Sequence, residues 1–324
     1  MAAEMRVVAL RDDHLPQLYA IYREVTATAA HCRFVPSPAH FAASLAAPAA
    51  PGTRLFVAEQ GGRGAGFTAL LAPRPGDGAP QPEASAGRAP EAELTALFVG
   101  DERAGQALLD ACTAHARSLG ARRLLAFPVE HGHGPIPSYN ASWGGLSDRQ
   151  PLVARLLTSN GFAPYHRELH LSCDGERFPP PPPPGVPPPS SGSGAPARVE
   201  PAPRATRDGV QIRPGVDRHG RPCLRALHGE AQLGICVYGT LEHLTDDPAA
   251  ARWGYIWWLH VQEEHRRRGW GRRLLAGALA ALAARGAAGC WLTTASDNFP
   301  AQALYLALGF EIVDASAAFG KDLR

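Results

Sequence analysis

The chain is nearly without lysine: of its 32 Lys+Arg residues, all but Lys321 are arginine. Schiff-base chemistry and pyridoxal-phosphate anchoring need a lysine amine in a buried pocket, and one lysine in the last four residues does not supply it. No G-x-x-x-x-G-K-[ST] run is present, which removes the P-loop nucleotide hydrolases. Paired cysteines are also missing. Cys32, Cys112, Cys173, Cys223, Cys236 and Cys290 stand singly, without CxxC, as reduced buried thiols of a cytoplasmic protein would. His131 and His133 have no Cys/His partners at ligand spacing, so no metal site is expected. Acidic Glu4, Asp12 and Asp13 and the lack of an apolar h-region argue against a leader peptide. The longest apolar helical stretch, residues 274–284, is too short to span a bilayer. A net charge of +2 gives no bulk attraction to membranes or nucleic acid.

Glycine (34) and proline (31), by contrast, are abundant in a chain of 324 residues that is otherwise 45% hydrophobic, as folded domains are. The prolines concentrate. Six run from Pro179 to Pro184, three from Pro187 to Pro189, and a Ser/Gly segment with Pro196, Pro201 and Pro203 follows. A proline rod joined to a flexible Ser/Gly segment cannot bury a core, so residues 178–208 read as a linker. This divides the chain into domains 1–177 and 209–324. Residues 73–90 read as a weaker Pro/Gly loop inside the first.

In the second block, residues 210–213, 223–228, 232–241, 254–261 and 290–294 read as strands. Leu274, Leu275, Ala278, Leu279 and Leu282 have helical spacing within 272–285, and a second helix over 300–308 precedes a strand at 310–313. The first block gives a looser series. It has strands at 7–10, 55–58, 65–72, 94–99, 124–127 and 166–172, with helices at 13–26, 104–119 and 152–159. The segments LFVGDERAGQALLDA and LHVQEEHRRRGWGRRLLAG run parallel, as do LLTSNGFAPY and LYLALGFEIV. Repetition at this scale means two domains of one fold rather than a solenoid.

The segment that carries chemistry leaves a strand at Val261, crosses Arg266, Arg267, Arg268, Gly269, Trp270 and Gly271, and opens a helix. Backbone N–H groups at a helix N-terminus favour an anion, and the glycines let the chain approach a phosphate closely. With Arg272 and Arg273 added, this is a pyrophosphate-binding turn.

These residues resemble the cofactor motif R-x-x-G-x-G of the GCN5-related N-acetyltransferase (GNAT) family. The stretch from Asn298 through Ala301 and Tyr305 to Gly309-Phe310 resembles the family's N-x-x-A-x-x-x-Y-x-x-x-G-F signature. The resemblance covers residues 210–324 well and 6–172 in outline. It implies an α/β (α+β) fold of two GNAT-like domains, each a mixed, mostly antiparallel sheet flanked by helices. It also implies acetyl-CoA as co-substrate and transfer of its acyl group to a primary amine of a small molecule or peptide. Leu259 and Val261 would offer backbone groups to the pantetheine arm, Arg266 to Gly271 would cradle the pyrophosphate, and Asn298 would hold the cofactor arm. Tyr305 would protonate the thiolate, since a phenol of pKa about 10 is still protonated at neutral pH.

The sequence departs from the family in three places. Many members carry a glutamate early in the central strand as general base. Here strand alternation places apolar or aromatic Tyr255, Trp257 and Leu259 with Val261, and His260 opposite. The base is then His260, Glu242, a water chain or nothing beyond the amine's own neutral fraction, with the water route favoured because His260 points away. Tyr255 and Trp257 are candidate substrate contacts, and Trp253, Trp257 and Trp258 candidates for an aromatic acceptor pocket. Between Arg213 and Cys223 there is no room for the two helices that wall the acceptor site. In the first block, Asp101 and Glu102 stand where the phosphate turn belongs and would repel acetyl-CoA, so this copy is degenerate. Its insertion around His131 to Trp143 is the candidate acceptor loop. The rival reading is a non-catalytic acyl-CoA-binding or arginine-rich interaction module, and near-neutral charge argues against nucleic acid as its partner.

Overall fold

The computed structural model describes residues 3–30, 32, 34–46, 52–73, 90–128, 145–178, 209–242 and 245–323. The proline-rich linker beyond its first residue, most of the 73–90 loop and the insertion from His131 to Trp143 lie outside the described residues. The first half runs β1 (Met5–Val8), α1 (Leu15–Thr28), α2 (Pro38–Ala46), β2 (Thr53–Gln60), β3 (Arg63–Leu71), β4 (Glu91–Val99), α3 (Glu102–Ser118), β5 (Arg123–Ala126), β6 (Leu146–Ser147), α4 (Pro151–Ser159) and β7 (Ala163–Asp174). The second runs β8 (Val210–Val216), β9 (Pro222–His228), β10 (Ala231–Thr240), β11 (Trp253–Val261), α5 (Trp270–Ala284), β12 (Gly289–Ala295), α6 (Phe299–Leu306) and β13 (Glu311–Asp322).

The second series repeats the first without α1, α2 and the short β6. In place of the helix pair, residues 217–221 turn directly from β8 to β9. Oδ1 of Asp217 accepts from the N–H groups of His219 and Arg221, both at 2.8 Å, and its Oδ2 accepts from Nε of Arg221 at 2.9 Å. A carboxylate that satisfies a tight turn this way leaves no length for helices.

The chain forms two compact units whose membership departs from a simple division at the linker. Unit 1 comprises Met1–His170, Leu244–Asp247 and Val313–Arg324, and unit 2 comprises Leu171–His243 and Pro248–Ile312. Within unit 1 the strand order is β1-β2-β3-β4-β5-β13, antiparallel except for the β4–β5 pair. Within unit 2 it is β7-β12-β11-β10-β9-β8, with β11–β12 parallel and β8 to β11 antiparallel. Each sheet thus ends on a strand drawn from the other half of the sequence, which local periodicity does not reveal.

Helices cover both faces of the unit 1 sheet. Ring contacts run from Tyr22 on α1 to Phe41 on α2 (5.1 Å), from Phe41 to Phe67 on β3 (5.8 Å) and from Phe67 to Phe98 on β4 (5.0 Å). They fix α1 and α2 on one face. The other face takes α3 through buried Leu108, Leu109, Cys112 and Ala116, with the Cys112 thiol near Thr68. Burial pushes that thiol up to about 12, so it stays protonated. In unit 2, α5 covers one face: Gly254 lies against Leu282, Gly234 against Leu274, and Leu224 against Gly277.

Both central strands carry one extra residue at the same place. The register steps from Ala69↔Ala96 to Leu70↔Leu94, leaving Thr95 of β4 over, and from Val237↔Trp258 to Tyr238↔Ile256, leaving Trp257 of β11 over. These are β-bulges. Parallel pairing stops just ahead of each. Glu91 to Leu94 pair with β5 and Trp253 to Tyr255 with β12, and beyond them β4 and β11 splay from that neighbour.

Past the bulge, β10 and β11 approach so closely that a Cβ on Gly234 would stand 2.8 Å from the carbonyl oxygen of His260. Gly234→Ala forces these strands apart and is expected to lower stability by about 1–3 kcal/mol, read as a fall in the urea midpoint at unchanged slope.

Candidate active site

The extra residue rotates the side chains that follow it. Directly opposed residues of an antiparallel pair share a face. Ile256 therefore lies on the face of Tyr238 and Trp258 on that of Val237, so Ile256 and Trp258 lie on opposite faces. Leu259 and Val261 turn toward α5, where the Val261 side chain reaches the neighbourhood of Gly234 and Gly271. Tyr255, Trp257, Trp258 and His260 turn the other way. The alternation read from sequence, with Tyr255 and Trp257 on the face of Leu259 and Val261, is thus corrected, because the bulge at Trp257 shifts the period by one. Tyr255 is buried with its ring 4.6 Å from that of Trp257. Trp258 is 51% exposed and stacks on His260 at 6.2 Å and 17°. Glu242, the other candidate base, follows Leu241, whose N–H donates to the carbonyl of Trp253. It therefore sits by the start of β11 and is not brought to the bulge.

From Val261 the chain makes a short 3-10 turn, Glu263–His265, and reaches α5 through two left-handed residues, Arg267 (φ 61°) and Gly269 (φ 80°). Gly269 suits that conformation. A bulky residue with positive φ, such as Arg267, is uncommon and tends to mark a functional turn. The first backbone bond of α5 runs from the N–H of Arg273 to the carbonyl of Gly269. The N–H groups of Trp270, Gly271 and Arg272 therefore point out of the helix end, as an anion site requires. The Trp270 side chain is buried at 4% exposure, with the Arg273 guanidinium 4.7 Å above its ring, so this residue anchors the turn and offers only its backbone outward. Arg266, Arg267, Arg268, Arg272 and Arg273 are exposed, and none pairs with a carboxylate among the described residues. Nε of Arg266 donates to the Val261 carbonyl at 3.1 Å, tying the turn to the strand end.

Leu304 of α6 packs against Gly271, so α6 abuts the start of α5. This places Tyr305 one residue from that contact, 7% exposed and with its ring 6.0 Å from Phe310. Asn298 is the N-cap of α6, and its Oδ1 accepts from the N–H of Ala301 at 3.4 Å. Its oxygen is engaged in capping, and its amide N–H groups are what remain for a ligand.

Unit 1 repeats the frame with a different occupant. Leu156 of α4 packs on Gly105 of α3, as Leu304 does on Gly271. The N-terminus of α3, however, is filled from within: Asp101 accepts from the N–H of Ala104 at 2.8 Å, and Glu102 follows in the first turn.

A bulged central strand, a parallel neighbour whose pairing stops short of the bulge and a glycine–arginine turn into a helix make up the candidate site of unit 2. Residues 196–310 match the model of the acetyltransferase (GNAT) family. For the chain as a whole the likeness to GNAT proteins is one of fold, in a tandem two-domain architecture. A tandem GNAT protein from the clavulanic acid biosynthesis pathway superposes at TM-score 0.60 with 20% identity, over 99% of both chains. A GCN5-related N-acetyltransferase from Sphaerobacter thermophilus does so at TM-score 0.61 with 13% identity, over 99% of this chain and 96% of that one. A GCN5-related glucosamine N-acetyltransferase region of a fungal multi-domain GH3 β-N-acetylglucosaminidase gives TM-score 0.66 with 14% identity. The match covers 98% of this chain but 38% of that fungal chain. No curated protein matches the chain at a significant level.

Sequence reasoning missed the bulge, whose one visible signal is the Trp257-Trp258 doublet that breaks the alternation. It also missed the left-handed Arg267. Replacing Asp101 by alanine is expected to cost about 0.5–2 kcal/mol, the range for a lost N-cap, seen as a lower melting temperature of the full chain.

Proposed function

We propose that unit 2 transfers the acetyl group of acetyl-CoA to a primary amine by direct attack, and that unit 1 is a degenerate copy without a cofactor site of its own. One observation carries the reading. Five arginines without a carboxylate partner among the described residues and the outward N–H groups of α5 gather just past the C-terminal end of β11, the strand whose pairing with β12 stops at Tyr255. Such a concentration of unbalanced positive charge calls for a polyanion, and a pyrophosphate fits both the turn and the arginine forks. In unit 1 the corresponding helix end is occupied by Asp101.

Acetyl-CoA, when bound, supplies an activated thioester. The residues of the chain then have three tasks. The splayed edge of β11 near Leu259 holds the acyl arm as an added strand would and orients its carbonyl by backbone N–H groups. His260, on the opposite face, or a water held beside it, takes the proton that the amine nitrogen loses as the C–N bond forms. Tyr305 gives its Oη proton to the sulfur as the C–S bond breaks. Positioning the two substrates supplies much of the acceleration. The buried, unpaired cysteines fit a reducing, cytoplasmic setting, and no helix of the described residues is long and apolar enough to cross a membrane.

Tyr305→Phe is expected to lower thiol release from acetyl-CoA by about 100-fold or more, with the dissociation constant for acetyl-CoA within a factor of about three. Equal turnover in this variant removes Tyr305 from the mechanism. Tight acetyl-CoA binding without turnover on any amine would favour the non-catalytic module. Arg268→Gln is expected to weaken acetyl-CoA binding by roughly ten-fold, the worth of one charge-assisted hydrogen bond, measured by titration calorimetry.

A further inference from the structure

The face of unit 2 opposite α5 is built differently from its counterpart in unit 1. There Phe67 and Phe98 pair directly across β3 and β4 and meet the helix pair through Phe41 and Tyr22. Aligned on the shared bulge, the equivalent pair is Ile235 and His260, also directly opposed. Ile235 is half-buried and His260 exposed. The connection that would carry covering helices is the five-residue turn between β8 and β9.

The same cross-strand row continues outward. Ile235 lies opposite Arg225 of β9, and Arg225 lies opposite Arg213 of β8. Two arginines are therefore directly opposed across a strand pair, where like charges are destabilising, and their guanidinium groups turn apart, one toward Gln211 and the other toward Val216. Neither has a carboxylate partner among the described residues. Nε and Nη2 of Arg213 donate to Gln211, and Nη2 of Arg225 donates to the carbonyl of Val216 at 2.6 Å. The residues that β8, β9, β10 and β11 place on this face include no Asp or Glu, and the carboxylate that reaches it from the turn, Asp217, is held by Arg221. Beside the row, Trp258 and His260 form a stacked, exposed aromatic step. Trp257 next to it is capped by Arg221 at 5.2 Å, a guanidinium already paired with Asp217 at 2.8 Å.

We propose that this face binds the acceptor, and that the acceptor is an amine bearing a carboxylate and a flat, preferably aromatic, body. The carboxylate is held by Arg213 and Arg225, the flat body lies on Trp258 and His260, and the amine is left beside the bulge. Two strand spacings separate Arg225 from His260, about 10 Å between backbones. That span suits one small molecule with its carboxylate and amine at opposite ends, once the Arg225 guanidinium leaves the Val216 carbonyl and turns inward. The inference rests on the transfer reaction proposed above, since it names the substrate of that site, but its observations are independent of the cofactor turn.

The test uses the full chain and binding rather than turnover as its readout. 4-(Aminomethyl)benzoate and 3-(aminomethyl)benzoate are each compared with benzylamine by titration calorimetry. At least one acid is expected to bind roughly ten-fold or more tightly than its neutral partner, as charge-assisted contacts to guanidinium provide. In the double variant Arg213→Gln/Arg225→Gln that preference is expected to fall to within about two-fold. Trp258→Ala is expected to weaken acid and neutral partner alike. Unchanged acetyl-CoA affinity in every variant shows that the fold is intact. If no acid outbinds its neutral partner, or if the preference survives in the double variant, the inference is overturned. Thiol release measured on the same amines separates the two proposals. Acid-selective binding without release overturns the reaction and leaves the binding face standing, whereas release without charge preference does the reverse.

Discussion

One surplus residue in a central strand governs the rest of the molecule. While Trp253 to Tyr255 lie beside β12, the sheet is continuous and offers no cleft. Trp257 adds a residue that β10 cannot match, and the strand bends away with its side chains turned by one position. Two consequences follow from the same bend. An edge of backbone polar groups opens, which must be satisfied by water or by something that behaves as a strand. The two sides of β11 also acquire different chemistry, with Leu259 and Val261 against α5 and Trp258 and His260 facing outward. Thr95 does the same for β4, so both units carry the bend.

Given that shared frame, the two copies differ in what fills it. The N-terminus of α3 and that of α5 each present outward N–H groups, and such an end needs one anion. Asp101 provides it for α3 permanently, by a covalent neighbour that cannot dissociate. Gly269 has no side chain to cap α5, so the same groups stay available, surrounded by unpaired arginines. The opposite faces are distributed in reverse. Unit 1 keeps α1 and α2, locked by rings on Tyr22, Phe41, Phe67 and Phe98. Unit 2 has no such pair between β8 and β9, and Ile235 and His260 stand where unit 1 has its aromatic docking residues.

The parts of this arrangement that are local in sequence were legible there. The helices α3 and α5 announce themselves by apolar spacing, and the turn at Gly269 by its glycines and arginines. The missing helices of unit 2 follow from the short distance between Arg213 and Cys223. Non-local features left no such trace. The α2 segment, rich in alanine and opened by Pro38, has too little periodicity to stand out, although Phe41 is wholly buried. The long β13 reads as a strand only at its start, because Ala315, Ser316, Ala317 and Ala318 have little intrinsic strand preference and owe their conformation to pairing with β5 and β6. The surplus residue at Trp257 is visible only against the partner strand, since a bulge is a property of a pair.

The near-absence of lysine acquires a physical meaning at these sites. Arginine remains charged under all ordinary conditions and presents a rigid fork of donors, whereas lysine is a mobile point charge that burial can neutralise. Lys321 shows the contrast: it is half-buried over the ring of Phe162, and burial lowers its pKa. Both positively charged features of unit 2 are instead held by hydrogen bonds. The glycine–arginine turn is tied to the end of β11 by Arg266, and the row of Arg213 and Arg225 is tied to the sheet by the carbonyl of Val216 and the side chain of Gln211. A sheet holds such groups at spacings set by strand separation, more rigidly than the loops that usually carry recognition. Among the described residues no helix pair covers this face of unit 2, so the proposed acceptor site is a sheet floor whose groups are already ordered.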